Sequence, residues 1–189
     1  MLPMYSGFAL GGLARSGKNA IGERLGQFIH LAEGWPTLLS FATPLREMVA
    51  QENGHARKHG GGREAMIRIG DREREKDPDV FVNTMADQLD LCVVAGCVPI
   101  ITDVRRLNEF RLCNRRGLFT VYVAAPLEDR VARMRARGED ARFATSTHAT
   151  ETEALGFDWD LVVDNVHSVY PENMITQIAT EIIMAADRQ

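Results

Sequence analysis

The chain has 189 residues, 45% of them hydrophobic, which is enough for one buried core and predicts a single domain over 1–189. A net charge of −4 excludes the global basic field that sequence-independent nucleic-acid binding needs, so any contact with a polyanion has to be local. The three cysteines, Cys92, Cys97 and Cys113, are odd in number and lack metal-ligand spacing, which predicts reduced thiols, two of them in the core. The N-terminal run MLPMYSGFALGGLA has no basic n-region and falls short of the roughly 20 apolar residues of a membrane span, so no targeting signal and a cytoplasmic location are expected.

Phe8–Leu10 is a short apolar run entering a glycine-rich turn, and Asn19–Ile29 then places Ile21, Leu25, Phe28 and Ile29 at helical spacing. Thr37–Phe41 reads as a second strand, followed after Pro44 by a helix with Leu45, Met48 and Val49 on one face. Residues 51–62, QENGHARKHGGG, break every pattern and predict a mobile loop or a solvated connector. From Arg63 to Ala95 the pattern is helical, broken at Asp77-Pro78, where a second helix can start. Val98–Thr102 is a buried-strand run ending at Asp103, and helix Asn108–Arg116, strand Leu118–Ala124, helix Leu127–Arg137, strand Leu161–Val163 and helix Pro171–Ala186 follow. This alternation predicts an α/β fold of three layers, with a parallel sheet and helices on both faces.

The segment Gly12-Leu13-Ala14-Arg15-Ser16-Gly17-Lys18 fits G-x-x-x-x-G-K and lies between a predicted strand and a predicted helix, as phosphate binding by that motif requires. Backbone amides from Gly12 to Ala20 and the helix N-terminus would supply positive potential, with Lys18 reaching the β- and γ-phosphate oxygens. Asn19 and Ala20 stand where a serine or threonine would ligate Mg²⁺. The Asn19 carbonyl can take that role directly or through water, or simply begin the helix. Asp103-Val104-Arg105 puts a carboxylate and a guanidinium at the carboxyl edge of the sheet. Asp103 can orient Mg²⁺ or accept a proton, and Arg105 has the fork geometry for an acceptor phosphate.

The motifs GLARSGKN, SFATPLRE, IGDREREKDPDVFV, TDVRRLNE and STHATETEALGFDWDLVVDN, in that order over nearly the whole chain, resemble those of the phage-type deoxynucleoside monophosphate kinases among the P-loop nucleotide kinases. The resemblance implies a P-loop NTPase fold, ATP and Mg²⁺ as cofactors, Lys18 and the loop amides on the donor phosphates, and Asp103 and Arg105 at the acceptor. It also implies that the patch from Thr147-His148 to Glu151 closes over the substrate side, and it sets the cytoplasm of a host as the compartment if the protein is viral.

The basic segment after Leu127, with Arg130, Arg133, Arg135, Arg137 and Arg142, matches a short arginine-rich lid over 127–145, with Arg133 and Arg137 as candidates for neutralising the transferring phosphoryl group. A solvated helix face with i,i+4 partners such as Asp129 and Arg133 is the alternative. A second cluster, Arg63, Arg68, Arg72 and Arg74, corresponds to the acceptor side in the family, making Arg68 and Arg74 substrate candidates alongside His148 and Glu151. Phe81 is the aromatic residue favoured for stacking on a base, ahead of Phe41 and Trp159.

The expected activity is phosphorylation of deoxynucleoside monophosphates to diphosphates by in-line transfer. The alternative is a kinase of 5-hydroxymethyluracil in DNA, for which the glycine-rich stretch His55–Arg63 would suit a duplex or a flipped base. A dephospho-coenzyme A kinase-like enzyme and a non-catalytic nucleotide-binding module are the remaining readings. The expected partner is a small nucleotide or DNA, and not a membrane; a homodimer is compatible with the sequence.

Overall fold

The computed structural model describes residues 6–52, 62–145, 153–166 and 171–188. Five strands form one sheet in the order β2-β3-β1-β4-β5, built from β1 (Phe8–Gly11), β2 (Pro36–Leu39), β3 (Val98–Val104), β4 (Phe119–Ala124) and β5 (Leu161–Asp164). Every neighbouring pair runs parallel. The helices are α1 (Lys18–Leu31), α2 (Thr43–Glu52), α3 (Gly62–Lys76), α4 (Val80–Ala95), α5 (Leu107–Arg115), α6 (Leu127–Arg135) and α7 (Pro171–Ala186), with 3₁₀ turns at Ala141–Thr145 and Glu153–Gly156. Among the described residues, no helix is long and apolar enough to cross a membrane.

Period-2 alternation along the central strands divides the core. Phe8 and Leu10 of β1 and Ile100 of β3 face Ile21, Leu25, Ile178 and Ile182 of α1 and α7. Ala9 and Ile101 face the opposite cluster, where Phe81, Met85 and Leu89 of α4 meet Phe110 and Cys113 of α5. Strands buried on both faces read as continuous apolar runs, which is how β1, β3 and β4 were legible. Cys92 and Cys113 are buried and Cys97 is partly so; burial lifts the Cys92 thiol to about 11, and such thiols stay protonated and inert.

Two boundaries differ from the sequence reading in ways that matter for the site. Strand β3 continues through Asp103 to Val104, because Gly11 of β1 pairs with Val104 across an irregularity in the ladder, so the carboxylate lies within the strand and not beyond it. Helix α6 stops at Arg135, two residues short of expectation. Its last turn closes through Gly138, whose φ of 67° no other residue adopts as readily and where Gly138 and Glu139 donate back to Arg135 and Met134.

Candidate active site

The chain leaves β1 toward β2 on one side of the sheet and leaves β3 toward β4 on the other, which sets a topological switch between the two central strands. Crevices at the carboxyl ends of such strands are where open α/β sheets take ligands. A cavity of about 730 Å³ opens there. Seven basic side chains (Arg15, Lys18, Arg46, Arg74, Arg105, Arg133 and Arg137) line it against three acidic ones (Asp71, Asp103 and Glu109). Its wall is thus positive in a chain of net charge −4. It is a local positive patch of the kind to which the composition confines any polyanion contact.

The phosphate loop is shaped by left-handed backbone conformations. Arg15 has φ 62° and Gly17 φ 103°. A Cβ on Gly17 would stand 2.1 Å from Asn165 Nδ2, so the position admits glycine alone. Lys18 is only 6% exposed. Its Nζ donates to the carbonyls of Gly12 and Leu13 at 2.8 Å and to Ser16 Oγ at 3.3 Å. The ammonium therefore sits at the centre of the loop, where an anion would compete with these carbonyls for it. Ala14, Arg15, Gly17, Asn19 and Ala20 line the cavity, whereas Gly12 and Ser16 lie beneath it.

Arg133 is tied to the phosphate loop. Its Nη1 donates to the carbonyls of Arg15 at 3.1 Å and Ser16 at 3.4 Å, and its Nη2 to the Asn165 carbonyl at 3.1 Å. Asn165 in turn donates through Nδ2 to the Ser16 carbonyl at 2.7 Å. The pair clamps the loop from the β5 side, and burial lowers the Arg133 pKa from its ordinary value. Arg15 is paired with Glu139, Nε to Oε2 at 2.8 Å with a second contact from Nη2 to Oε1. Arg130 is buried, donating to the Ala144 carbonyl at 2.8 Å. Arg137 is exposed at the cavity rim. Both proposed lid arginines line the cavity, Arg133 tied to the phosphate loop and Arg137 exposed.

Near the carboxyl end of β3, Asp103 is held by the β2–α2 junction: Oδ1 accepts the Phe41 amide at 2.9 Å, and Oδ2 accepts the Ser40 hydroxyl at 2.6 Å and the Ala42 amide at 3.0 Å. These bonds fix the carboxylate in place. Arg105 lines the same wall. Arg74 reaches it from α3, its guanidinium stacked 4.7 Å from the Phe81 ring centroid and its Nη2 3.7 Å from Glu109 Oε1. Phe81 itself is buried beneath Arg74 and does not line the cavity, so it is unavailable for stacking on a base. Arg68 lies on the other side of α3, 3.3 Å from Glu52, and also stays outside the cavity. His148 and Glu151 lie outside the described residues, as does the Arg142 side chain.

Glu109, Asp71, Arg46 and Asn165 were not singled out in the sequence. Glu109 is 3% exposed. Its Oε2 accepts the amides of Arg105 at 2.9 Å and Arg106 at 3.1 Å, and burial pushes its carboxyl up to about 7. The signal for it was the position itself: a glutamate three residues after the residue that precedes a helix is the N3 position of a capping box.

Mg²⁺ prefers oxygen donors and keeps several waters. The Asn19 amide and the Asp103 carboxylate, both lining the cavity, fit that preference.

No protein-family profile matches the chain, and no curated protein matches it in sequence. Solved structures do match its fold. A Thermus thermophilus protein, TT1252, is 22% identical with a TM-score of 0.58, covering 98% of each chain. A gluconokinase from Sinorhizobium meliloti is 17% identical with a TM-score of 0.57, over 97% of this chain and 93% of that one. The Mycobacterium tuberculosis APS kinase CysC, solved in complex with AMPPNP and APS, is 15% identical with a TM-score of 0.52, over 97% and 98%. The chain has the α/β fold of the P-loop kinases, a five-stranded parallel sheet flanked by helices. These neighbours do not single out the deoxynucleoside monophosphate kinases, and that likeness rests on the sequence motifs.

Proposed function

We propose that the chain is a phosphotransferase that moves the γ-phosphate of ATP to a small acceptor, with a deoxynucleoside monophosphate as the acceptor the sequence motifs favour. The observation that carries this reading is one cavity lined by two cationic groups from different parts of the fold, the phosphate loop with Lys18 and the pair Arg105 and Arg74. Two anionic groups brought together in one positive crevice is the arrangement phosphoryl transfer needs, since it asks for positioning and charge neutralisation and little covalent chemistry. ATP as donor is supported by the AMPPNP in the similar APS kinase.

The loop amides and Lys18 would bind the donor phosphates, while Arg133 and Asn165 keep the loop in shape from behind. Arg105 offers two parallel N–H groups to an acceptor phosphate. Asp103, held by three hydrogen bonds, is a fixed negative charge that would orient the acceptor group through its partners or help hold Mg²⁺. Asn19 and Asp103 would hold Mg²⁺, which when bound neutralises charge on the β- and γ-phosphate oxygens. The DNA-base alternative leaned on the stretch His55–Arg63, most of which lies outside the described residues.

The test incubates the protein with labelled ATP and Mg²⁺ against free deoxynucleoside monophosphates and, separately, DNA carrying hydroxymethylated pyrimidines, with Lys18→Met as control. Label on the free nucleotides, lost in the Lys18 variant, is the expected result. Label on DNA alone would move the assignment to the second acceptor. Binding of a fluorescent ATP analogue with no transfer to either set would reject both acceptors, and no binding at all would reject the donor site.

A further inference from the structure

Arg105 and Arg74 come from different parts of the fold, the end of β3 and the last turn of α3, yet both line one wall of the cavity. Long arginine side chains that converge on one ligand lose rotamer entropy on ordering, and a group that fixes them beforehand lowers that cost. The group between them is Glu109. One carboxylate oxygen accepts the Arg105 and Arg106 amides at 2.9 and 3.1 Å, and the other faces Arg74 at 3.7 Å. Phe81 supports Arg74 from the opposite side, ring against guanidinium.

We propose that Glu109 is a positioning residue for the acceptor end, with Oε2 fixing the backbone that carries Arg105 and Oε1 fixing the Arg74 guanidinium, so that the two cations present a preformed fork to one anionic group. The inference rests on the reading of this end of the cavity as the acceptor site. The two arms are separable. An amide in place of the carboxylate keeps an oxygen for the backbone N–H groups but turns an NH₂ toward Arg74, which removes the attraction on that arm alone.

The carboxylate is also poised to change state. Burial raises its pKa to about 7, with the Asp103 charge raising it further and the Arg105 and Arg106 amides and Arg74 opposing. The charged and titratable groups around it are thus Asp103 of β3, Arg105 and Arg106 at the start of α5, Arg74 of α3, and Cys113 on its own helix. Protonation leaves Oε2 free to accept the amides and silences Oε1 toward Arg74, so lowering the pH should copy the Glu109→Gln change.

The experiment is a double-mutant cycle on steady-state kinetics with deoxynucleoside monophosphates, using Glu109→Gln, Arg74→Gln and the double variant, all confirmed folded by thermal melts. Glu109→Gln should raise KM for the monophosphate about tenfold and move KM for ATP less than twofold. In the Arg74→Gln background, the same change should have less than a twofold effect. The ratio of variant to wild-type KM should fall toward one as the pH drops from about 8 to 6, a comparison from which the acceptor's own titration cancels. Equal effects in both backgrounds, or a ratio that ignores pH, would overturn the inference.

If wild-type protein binds a fluorescent ATP analogue but turns over no monophosphate, the acceptor assignment has failed. Glu109 is then judged by hydrogen exchange at the Arg74 Nε–H by NMR, which should accelerate at least tenfold in Glu109→Gln. An unchanged rate there would reject the positioning role on its own.

Discussion

Arg133 and Asn165 both donate to the carbonyl of Ser16, at 3.4 and 2.7 Å, and Arg133 donates also to the carbonyl of Asn165. A residue of α6 and one just past β5 are thereby fastened to the back of the phosphate loop. These bonds engage the carbonyls of the loop, which fixes the backbone whose amides are the groups that bind phosphate.

Arg133→Lys keeps the charge but cannot serve three carbonyls from one planar fork. Affinity for a fluorescent ATP analogue should fall about tenfold and stability by about 1–2 kcal/mol, measured by titration and by denaturant unfolding. Affinity within twofold of wild type would show that the loop keeps its shape without the clamp.

Gly17→Ala introduces a Cβ into the space of Asn165 Nδ2 at a φ of 103°, a conformation costing a non-glycine residue on the order of 1–3 kcal/mol. The expected outcome is loss of ATP-analogue binding by at least a hundredfold with the far-UV circular dichroism retained. The double variant Gly17→Ala, Asn165→Ala should recover part of that loss. Recovery would be absent if the strain lay in the backbone angle alone.

Asp103→Asn turns an amide NH₂ toward a site with three hydrogen-bond donors, Ser40 Oγ and the Phe41 and Ala42 amides. One donor loses its acceptor, at a cost of about 1–3 kcal/mol, and turnover should fall at least a hundredfold with a right-shifted Mg²⁺ titration. Ser40→Ala removes one donor and leaves the carboxylate charged, so it should lower stability by less while keeping turnover within a few-fold. Matching losses in the two variants would make Asp103 a purely structural anchor.

Glu109 predicts a pH dependence of stability with a definite sign. Its carboxyl holds a proton up to about pH 7 when folded, against an ordinary value of 4.5, so between these limits the folded chain binds more protons than the unfolded one. Stability from this group therefore falls as pH rises through that window, by up to roughly 3 kcal/mol. Unfolding curves from pH 4.5 to 8 should show that slope in wild type and not in Glu109→Gln. Parallel slopes would mean that the folded carboxyl titrates like a free one.

The sheet and the phosphate loop were legible because their signals are local: apolar runs of strand length, a glycine pattern between strand and helix, and a proline at 78 dividing α3 from α4. The acceptor end was legible only in part. Arg68 and Arg74 sit six positions apart on α3, which at 100° per residue puts them on different faces. Nothing in the local pattern says which face meets the cavity, and only packing against α2 sends Arg68 to Glu52. Asn165 and Glu109 escaped for the same reason. The importance of Asn165 comes from a carbonyl 149 positions away in the chain, and that of Glu109 from an arginine on another helix.

Trp159 gives the molecule a built-in optical reporter. Its indole lies so close to β1 that a Cβ on Gly11 would stand 2.1 Å from the ring, and Gly11 leads directly into the phosphate loop. Tyr122 and Phe110 flank it with ring centroids at 5.7 and 4.8 Å, and its Nε1 is tied to the Ala154 carbonyl at 3.0 Å. The second tryptophan, Trp35, is 72% exposed. A soluble quencher reaches Trp35 far more readily than Trp159, so in its presence the remaining emission comes mainly from the indole beside the loop, and nucleotide affinity can be followed in the unlabelled protein.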